Sequence, residues 1–188
     1  MKKFFVIVLV SVLGIGAISA QQVAKGTKML NVQATNLGFN SISYSFEGSD
    51  EDAKLSRIGI SAGAGYAFMD NVMLIGTLAF QSLKMEETKL SAVTIGAQGR
   101  KYFNGGLFAG AGVNLLNGSI GEGSDKESTT MIDGIVHAGI AFELLPKLTL
   151  EPMVSFSTKL AGGKVDGYDD MKLTYTQFSI NIGFSYYF

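Results

Sequence analysis

Hydrophobic residues alternate with polar or small residues along most of the chain. The final segment shows this most clearly, and its apolar side chains share one parity: Phe178, Ile180, Ile182, Phe184, Tyr186 and Phe188. The other parity carries Gln177, Ser179, Asn181, Gly183, Ser185 and Tyr187. Because successive side chains of a strand point to opposite faces, this pattern predicts a strand with one apolar face and one mostly polar face.

The same period of two recurs in eight segments, which polar or glycine-rich breaks separate. The predicted strands cover residues 28–46, 55–68, 72–83, 90–103, 107–118, 129–143 and 147–160, and an eighth strand ends at Phe188. The alternation slips at Asn36, Leu37 and Gly38, which predicts a bulge or bend. Strands of about 12 residues rise roughly 40 Å, and a tilt near 40° brings this to about 30 Å of membrane normal. The pattern predicts an all-β, eight-stranded antiparallel up-and-down transmembrane β-barrel.

Short and long connections alternate between these strands. Residues 69–71, 104–106 and 144–146 form three tight turns, whereas residues 48–52, 85–89, 117–128 and 161–170 form four longer, charged loops. An even number of strands puts both termini on the side of the short turns. Aromatic residues cluster near that side and predict an interfacial girdle of Tyr66, Phe68, Tyr102, Phe103, Phe108, Phe142, Tyr186, Tyr187 and Phe188.

The amino-terminal segment has the parts of a secretory signal peptide. Lys2 and Lys3 precede an apolar run over residues 4–17, and the small residues Ser19 and Ala20 follow it. We predict a signal peptide over residues 1–20, cleaved after Ser19 or Ala20, and one barrel domain over residues 21–188. The alternative is an uncleaved anchor helix, but the apolar stretch is shorter than the roughly 18 residues of a spanning helix.

Composition excludes several other classes of protein. The chain has 15 Lys and Arg against 16 Asp and Glu, and removal of Lys2 and Lys3 leaves 13 against 16, a net charge of −3. With no basic stripe in view, this balance argues against a nucleic-acid partner. The chain has no cysteine, which excludes disulfides and thiolate metal sites, so stability must come from closing the sheet.

The end of the chain carries a recognisable motif. Asn181, Gly183, Tyr186 and Phe188 follow the order polar, Gly, aromatic, aromatic with the spacing of the carboxy-terminal assembly signal of outer-membrane β-barrel proteins, which this tail resembles. Together with the predicted signal peptide, the alternating strands and the loop asymmetry, the chain resembles the small outer-membrane barrels of the OmpA/OmpX type. Nothing follows Phe188, so we expect no peptidoglycan-binding domain.

This resemblance implies a location and a set of partners. We expect a monomeric, multi-pass barrel in the outer membrane, with both termini in the periplasm and four loops outside the cell. The implied partners are outer-membrane lipids and lipopolysaccharide, together with the β-barrel assembly machinery and periplasmic chaperones during biogenesis.

The polar face of the strands predicts a filled interior. Its charged or titratable members are Arg57, Arg100, Asp133, His137, Glu143, Glu151 and Lys159. Charges buried in a barrel must be paired, because desolvation would otherwise cost several kcal/mol each. A hairpin at Leu145 and Pro146 places Asp133 opposite Lys159, and Arg100 is the cation best placed for Glu143 and Glu151. We therefore predict an interior plugged by ion pairs.

The polar residues that could carry chemistry each have a structural explanation. Glu143 and Glu151 could form a catalytic carboxylate pair, but a closed lumen gives no access to a substrate and favours a structural network. His137 falls near the middle of the membrane, which does not suit a Ser-His-acid site, and a single histidine cannot anchor zinc. We predict no catalytic, cofactor or metal site. The carboxylates of residues 50–52 and 166–170 could bind divalent cations that bridge to lipopolysaccharide, or form a calcium site. Solubility of the exposed loop tips is the favoured interpretation, because their spacing matches no EF-hand loop.

The sequence thus predicts a non-enzymatic outer-membrane barrel with a structural or interaction role through its four loops. The main alternative is a small porin-like channel for ions or very small solutes. A lipid-acting outer-membrane enzyme and a soluble exported ligand-binding barrel are further alternatives. The soluble barrel of the lipocalin kind would invert the pattern, with apolar residues inside and polar residues outside.

Overall fold

A computed structural model gives the fold of the protein and describes residues 23–35, 41–45, 57–85, 88–120, 127–165, 168–172 and 174–188. Its strands are β1 (Lys28–Thr35), β2 (Ser41–Ser45), β3 (Arg57–Met69), β4 (Val72–Met85), β5 (Thr88–Tyr102), β6 (Leu107–Ile120), β7 (Glu127–Ile140), β8 (Phe142–Leu145), β9 (Leu148–Val165), β10 (Tyr168–Lys172) and β11 (Thr174–Tyr187). A single 3-10 turn, Asn104–Gly106, joins β5 to β6. In this part of the chain, no helix has the length and hydrophobicity to cross a membrane.

The strands close into an eight-stranded antiparallel barrel, as predicted. Closure occurs at β1, where Leu30 lies opposite Ala64 of β3 on one side and Tyr186 of β11 on the other. β1 and β2 together form the first barrel strand, β7 and β8 the sixth, and β10 and β11 the eighth. Closure leaves no open sheet edge, and this is what allows strands to lie in a hydrocarbon environment.

The two faces of each strand divide as the alternation predicts. On β4, Leu74 and Phe80 point outward and are 56% and 53% exposed, whereas Met73 and Ile75 point inward and are fully buried. Large apolar side chains are exposed in the same way around the whole outer wall. A wall of this kind is the reverse of a water-soluble barrel and matches a lipid-facing surface.

The two ends of the barrel differ. The turns at Asp70–Asn71, Asn104–Gly106 and Pro146–Lys147 lie at one end, which also holds Val23 and Phe188 and is named the turn end here. Asn71 and Lys147 adopt left-handed backbone conformations, with φ of 61° and 72°. The opposite end is named the loop end.

Three of the four predicted loops are shorter than expected, because the strands continue into them, and β6 and β7 pair as far as Ile120 and Glu127. β4 and β5 pair as far as Met85 and Thr88, and β9 reaches Val165 before β10 begins at Tyr168. Polar residues can continue these hairpins, because the hydrogen bonds between paired strands need only backbone groups. The extensions have no apolar face, so the alternation in the sequence does not predict them. The predicted slip at residues 36–38, the loop at residues 48–52 and the signal peptide at residues 1–20 lie outside the described residues.

Candidate functional site

The interior of the turn end is filled by buried side chains from seven strands, from Ala141 between β7 and β8, and from Val23 before β1. Its apolar members are Val23, Met29, Ala67, Met73, Ile75, Tyr102, Phe108, Ala141, Met153 and Tyr187, all of which are almost inaccessible to solvent. Each of these strands contributes because it places at least one inward residue at this end of the barrel. The cluster surrounds a pair of charged side chains.

Arg100 and Glu151 form the buried ion pair at the centre of this cluster. The Arg100 Nη1 atom lies 2.7 Å from Glu151 Oε2, and the two side chains are only 2% and 0% exposed. Arg100 projects from β5 and Glu151 from β9, so the contact crosses the lumen. The structure brings these two predicted interior residues together.

Hydroxyl groups complete the coordination of the Glu151 carboxylate. The Tyr187 hydroxyl donates to Glu151 Oε1 at 2.7 Å, and the Thr149 hydroxyl donates to the same oxygen at 3.1 Å. The Tyr102 hydroxyl lies 3.1 Å from that of Tyr187 and 3.4 Å from Arg100 Nη1. A buried carboxylate needs such additional partners, because its ion pair alone does not offset the loss of hydration.

Aromatic rings enclose the guanidinium group. The Arg100 Cζ atom lies 4.2 Å from the centre of the Phe108 ring and 5.9 Å from that of Tyr102. A cation over an aromatic face is stabilised further when it is desolvated, by about 2 kcal/mol. The ion pair, the hydroxyl groups and the rings therefore form one packed unit, named the interior network here.

The segment before β1 covers the interior network at the turn end. The Val23 backbone N–H donates to Asn71 Oδ1 at 3.2 Å, and the Asn71 N–H donates to the Val23 carbonyl at 2.7 Å. Two further backbone bonds join Gly26 and Thr27 to Ala67, both at 2.8 Å. Val23 itself is 2% exposed, so residues 23–27 close the mouth of the barrel with a buried apolar side chain.

His137 lies beside the interior network, as its inward parity predicts. Its ring is buried and meets the Phe108 ring at 6.2 Å in an edge-on arrangement. Gly110 of β6 lies opposite His137, and a Cβ atom at Gly110 would collide with the imidazole. The glycine therefore makes room for the ring in a narrow interior.

The register places Asp133 of β7 opposite Lys159 of β9, nearer the loop end. This is the juxtaposition that the hairpin at residues 145 and 146 predicts. Asp133 is buried and Lys159 is half-buried. A register shift beside Asp133 leaves the neighbouring Leu160 pointing outward.

Two predicted members of the interior do not join this arrangement. Glu143 has the inward parity, but its side chain is exposed because β8 ends at the turn end two residues later. The expectation that Glu143 needs a buried cation was wrong, since water can hydrate its carboxylate at the rim. The backbone of Arg57 lies opposite Leu83, and its side chain lies outside the described ones.

Three residues of the predicted aromatic girdle are buried inside the barrel instead. Tyr102, Phe108 and Tyr187 are 4%, 2% and 2% exposed, so none of them faces lipid. The alternation along the strands does indicate that Tyr102 and Tyr187 point inward. Tyr102 is two residues after the inward residue Arg100, and Tyr187 is two residues after the inward residue Ser185. An aromatic residue at a strand end can lie at the membrane interface or in the barrel interior, and only its place in the alternation distinguishes the two. The girdle that the structure does place outward contains Tyr66, Phe68, Phe103, Tyr186 and Phe188.

The four positions of the carboxy-terminal motif divide between the two faces of β11. Asn181 is buried and donates from Nδ2 to the Ser155 hydroxyl at 2.9 Å, and Gly183 lies against Asn31. Tyr186 and Phe188 point outward and stack, with ring centres 6.1 Å apart. No group of three or more His, Asp or Glu residues that could hold a metal ion occurs in the described part of the chain.

Comparison with known proteins identifies a family whose model matches this chain. The model of the outer membrane protein beta-barrel domain family matches residues 10–188. A structure of Neisserial surface protein A is 17% identical, with a TM-score of 0.62 over 85% of this chain and 98% of that one. No curated protein matches the chain.

Two further solved barrels show the same architecture. Ail of Yersinia pestis is 14% identical, with a TM-score of 0.53 over 87% of this chain and 99% of that one. The amino-terminal β-barrel domain of Pseudomonas aeruginosa OprF is 10% identical, with a TM-score of 0.53 over 88% and 100%. Ail was also solved with the heparin analogue sucrose octasulfate, and that structure has a TM-score of 0.55. At these identities, the likeness shows a shared fold.

Proposed function

Because this chain belongs to the outer membrane protein beta-barrel domain family, we propose that it serves as a closed, non-enzymatic outer-membrane barrel. Its role is structural or one of surface recognition through the connections at the loop end. The turn end and both termini face the periplasm. The barrel acts as a monomer, since closure leaves no strand edge for pairing with a second chain.

The single observation that carries this proposal is the interior network. An eight-stranded barrel has an interior just wide enough for its own side chains. Here the 2.7 Å contact between Arg100 and Glu151 crosses that interior, and Val23 covers it from the turn end. Such packing supports a barrel that does not conduct and offers no route by which a substrate could reach Glu151.

The charge of the loop-end segments indicates the kind of partner. Residues 47–52, 86–87, 122–127 and 166–170 hold 12 of the 16 Asp and Glu residues of the chain. We propose that they contact lipopolysaccharide phosphates through divalent cations, or a cationic surface. A polysulfated ligand like that seen with Ail would be repelled by these carboxylates, which favours a different partner here.

The outward stack of Tyr186 and Phe188 suits recognition during biogenesis. Both rings are about half exposed on the outer wall at the end of β11, where another protein can reach them before the barrel closes against β1. We propose that the motif formed by Asn181, Gly183, Tyr186 and Phe188 is read by periplasmic chaperones and the β-barrel assembly machinery.

Conductance across a planar lipid bilayer tests the closed interior. The refolded wild-type barrel should give no stable open steps. The double variant Arg100→Ala and Glu151→Ala removes the pair across the lumen without leaving an unpaired charge, and it should give small steps. Large, stable steps from the wild type would overturn the proposal.

A small channel is the second candidate, and one observation favours it. Above the interior network, the lumen is lined by buried polar side chains, which are Ser155, Ser157, Gln177, Ser179 and Asn181. A hydrated passage could follow this lining if the turn end opened. Wild-type conductance that disappears when the loop end is blocked would support the channel. The enzyme alternative is tested separately, by an assay of lipid processing.

A further inference from the structure

An apolar groove crosses the lipid-facing wall on five neighbouring strands, β11, β1, β3, β4 and β5. Its apolar lining includes one row of register partners, which are Ile182, Ala34, Ile60, Phe80 and Val93. The four larger side chains of this row are 39–56% exposed. Ala34 is the small member, so the surface recedes between the two isoleucines. The groove has a volume of about 970 Å³, within the roughly 300–1,000 Å³ of ligand pockets.

Rows of register partners climb toward the loop end as they pass around the barrel. Starting at Leu30 of β1, successive partners on β3, β4, β5, β6, β7, β9 and β11 lead back to the first barrel strand at Ser43 of β2. Ser43 is nearer the loop end than Leu30. Because the groove follows such a row, it descends from Val93 to Ile182, away from the loop end.

Hydroxyl and amide side chains surround the upper end of the groove. Ser82 and Ser91 belong to its lining, and these two exposed residues, named the serine lip here, are register partners on β4 and β5. The Ser91 hydroxyl lies 3.0 Å from that of Ser119 on β6. Below Ser119 on the same face, Asn117 donates from Nδ2 to the Thr130 hydroxyl at 3.1 Å. The apolar outer face therefore ends at the serine lip.

The groove has the depth of one membrane leaflet. From Lys101 at the turn end to Ser91, β5 covers about 25 Å of membrane normal at roughly 3.4 Å per residue and a tilt near 40°, and this equals the height of the apolar band of such barrels. Four strand spacings of roughly 4.8 Å give the groove a length of about 19 Å and a descent of about 12 Å. The groove thus reaches from the loop-end boundary of the membrane to its middle, as a lipid acyl chain does.

We propose that this groove holds one acyl chain of a lipopolysaccharide molecule. The chain lies along the row from Val93 to Ile182, and the serine lip donates hydrogen bonds to oxygen atoms near the head of the chain. An acyl chain of lipid A, the lipid part of lipopolysaccharide, carries a hydroxyl group there besides its ester or amide group, whereas a glycerophospholipid chain carries only an ester. Two adjacent serine hydroxyls, each both a donor and an acceptor, suit the hydroxylated chain. The inference rests on the proposed function, which places the loop end outside the cell.

Native mass spectrometry of the full barrel tests the groove. The barrel is released from nanodiscs that contain equal amounts of lipid A and cardiolipin, and the retained lipids are counted. Cardiolipin also has two phosphate groups and several acyl chains, but no hydroxyl on its chains. EDTA is present throughout, so that divalent cations cannot bridge loop-end carboxylates to lipid phosphates. The wild type should retain lipid A about tenfold over cardiolipin, the preference that two hydrogen bonds supply.

Two sets of variants separate the groove from the rest of the wall. Ala34→Phe fills the groove and should remove most of the retained lipid A. Ala111→Phe is its matched control, because Ala111 is an exposed outward alanine of β6 outside the groove lining, and it should retain lipid A as the wild type does.

The double variant Ser82→Ala and Ser91→Ala should lose most of the preference over cardiolipin. Its control is the double variant Thr158→Ala and Thr176→Ala, which removes another pair of neighbouring hydroxyls, 3.5 Å apart on β9 and β11 and outside the groove lining. This control should keep the wild-type preference.

Equal losses of lipid A in Ala34→Phe and Ala111→Phe would overturn the inference. A wild type that retains cardiolipin over lipid A would assign the groove to a phospholipid and overturn lipopolysaccharide as the occupant. Failure of the proposed function looks different. A barrel that does not insert into lipid contradicts the membrane role, whereas an inserted barrel that retains both lipids equally contradicts only the groove.

Discussion

Arg100 and Glu151 meet across the barrel interior although their strands do not pair. Two strands, β6 and β7, separate β5 from β9 along the wall, and yet Arg100 Nη1 and Glu151 Oε2 are 2.7 Å apart. The contact therefore connects two strands that lie three positions apart around the barrel. It holds the barrel cross-section at the level where residues 23–27 close the turn end.

Removing one member of this pair should destabilise the barrel more than removing both. Glu151→Gln leaves the Arg100 charge buried without its counter-ion, and we expect a loss of about 3–5 kcal/mol in the free energy of unfolding. The double variant Arg100→Leu and Glu151→Leu should lose distinctly less. Because the chain has no tryptophan, far-UV circular dichroism during urea unfolding in lipid vesicles is a suitable measurement.

Additive losses of unfolding free energy in the single and double variants would contradict this prediction. If the double variant lost as much stability as Arg100→Leu and Glu151→Leu lose in sum, Arg100 and Glu151 would contribute independently, and the contact across the lumen would have no energetic role. Ser157→Ala is a suitable control, because it changes a buried polar residue of the same strand, β9, away from the ion pair.

The sequence predicts the barrel well because lipid and lumen impose a period of two on every strand. The same period identifies Arg100 and Glu151 as inward residues, and the hairpin at residues 145 and 146 predicts the Asp133–Lys159 register. The predicted girdle was wrong for Tyr102 and Tyr187, which are buried, since an aromatic residue at a strand end suits the interface as well as the interior.

The burial of Val23 could not be predicted from the sequence at all. No local pattern marks it, and its partner Asn71 lies 48 residues away along the chain. The contact forms only once β1, β3 and β4 are assembled. The exposure of Glu143 has a similar origin, because parity gives the face of a residue and does not give its distance from the end of the barrel.

The space above Gly110 should tolerate no side chain. A Cβ atom there would meet the His137 ring and the Gly99 carbonyl oxygen, so Gly110→Ala should lose about 1–3 kcal/mol of stability in the same urea measurement. Gly76→Ala is the matched control, because Gly76 points outward with nothing within 4 Å, and it should be neutral or slightly stabilising. Equal effects of the two substitutions would show that the packing around His137 is loose.

Asn71 should anchor the segment that closes the turn end. Asn71→Ala removes the acceptor of the Val23 N–H and forces a left-handed φ of 61° on alanine, so we expect a loss of about 1–2 kcal/mol. Asn71→Gly keeps the backbone conformation available and should lose less. Proteolysis of residues 21–27 in the folded barrel should be faster in Asn71→Ala than in Asp70→Ala, whose carboxylate accepts a single exposed bond. Equal proteolysis in these two variants would show that Asn71 does not hold the segment.

Deletion of Phe188 should impair assembly more than it impairs the folded barrel. The Phe188 ring points outward beside Tyr186, and its loss removes surface that faces lipid and the assembly machinery while the interior network stays intact. We expect a reduced heat-modifiable band when boiled and unboiled outer-membrane fractions are compared on a gel. Phe103→Ala, which removes an equally exposed ring at the same end, should leave the band at the wild-type level. A deletion variant that assembles normally in cells would show that Phe188 is dispensable as a signal. If refolding of the purified deletion variant into vesicles failed as well, the role of Phe188 would be in the stability of the barrel.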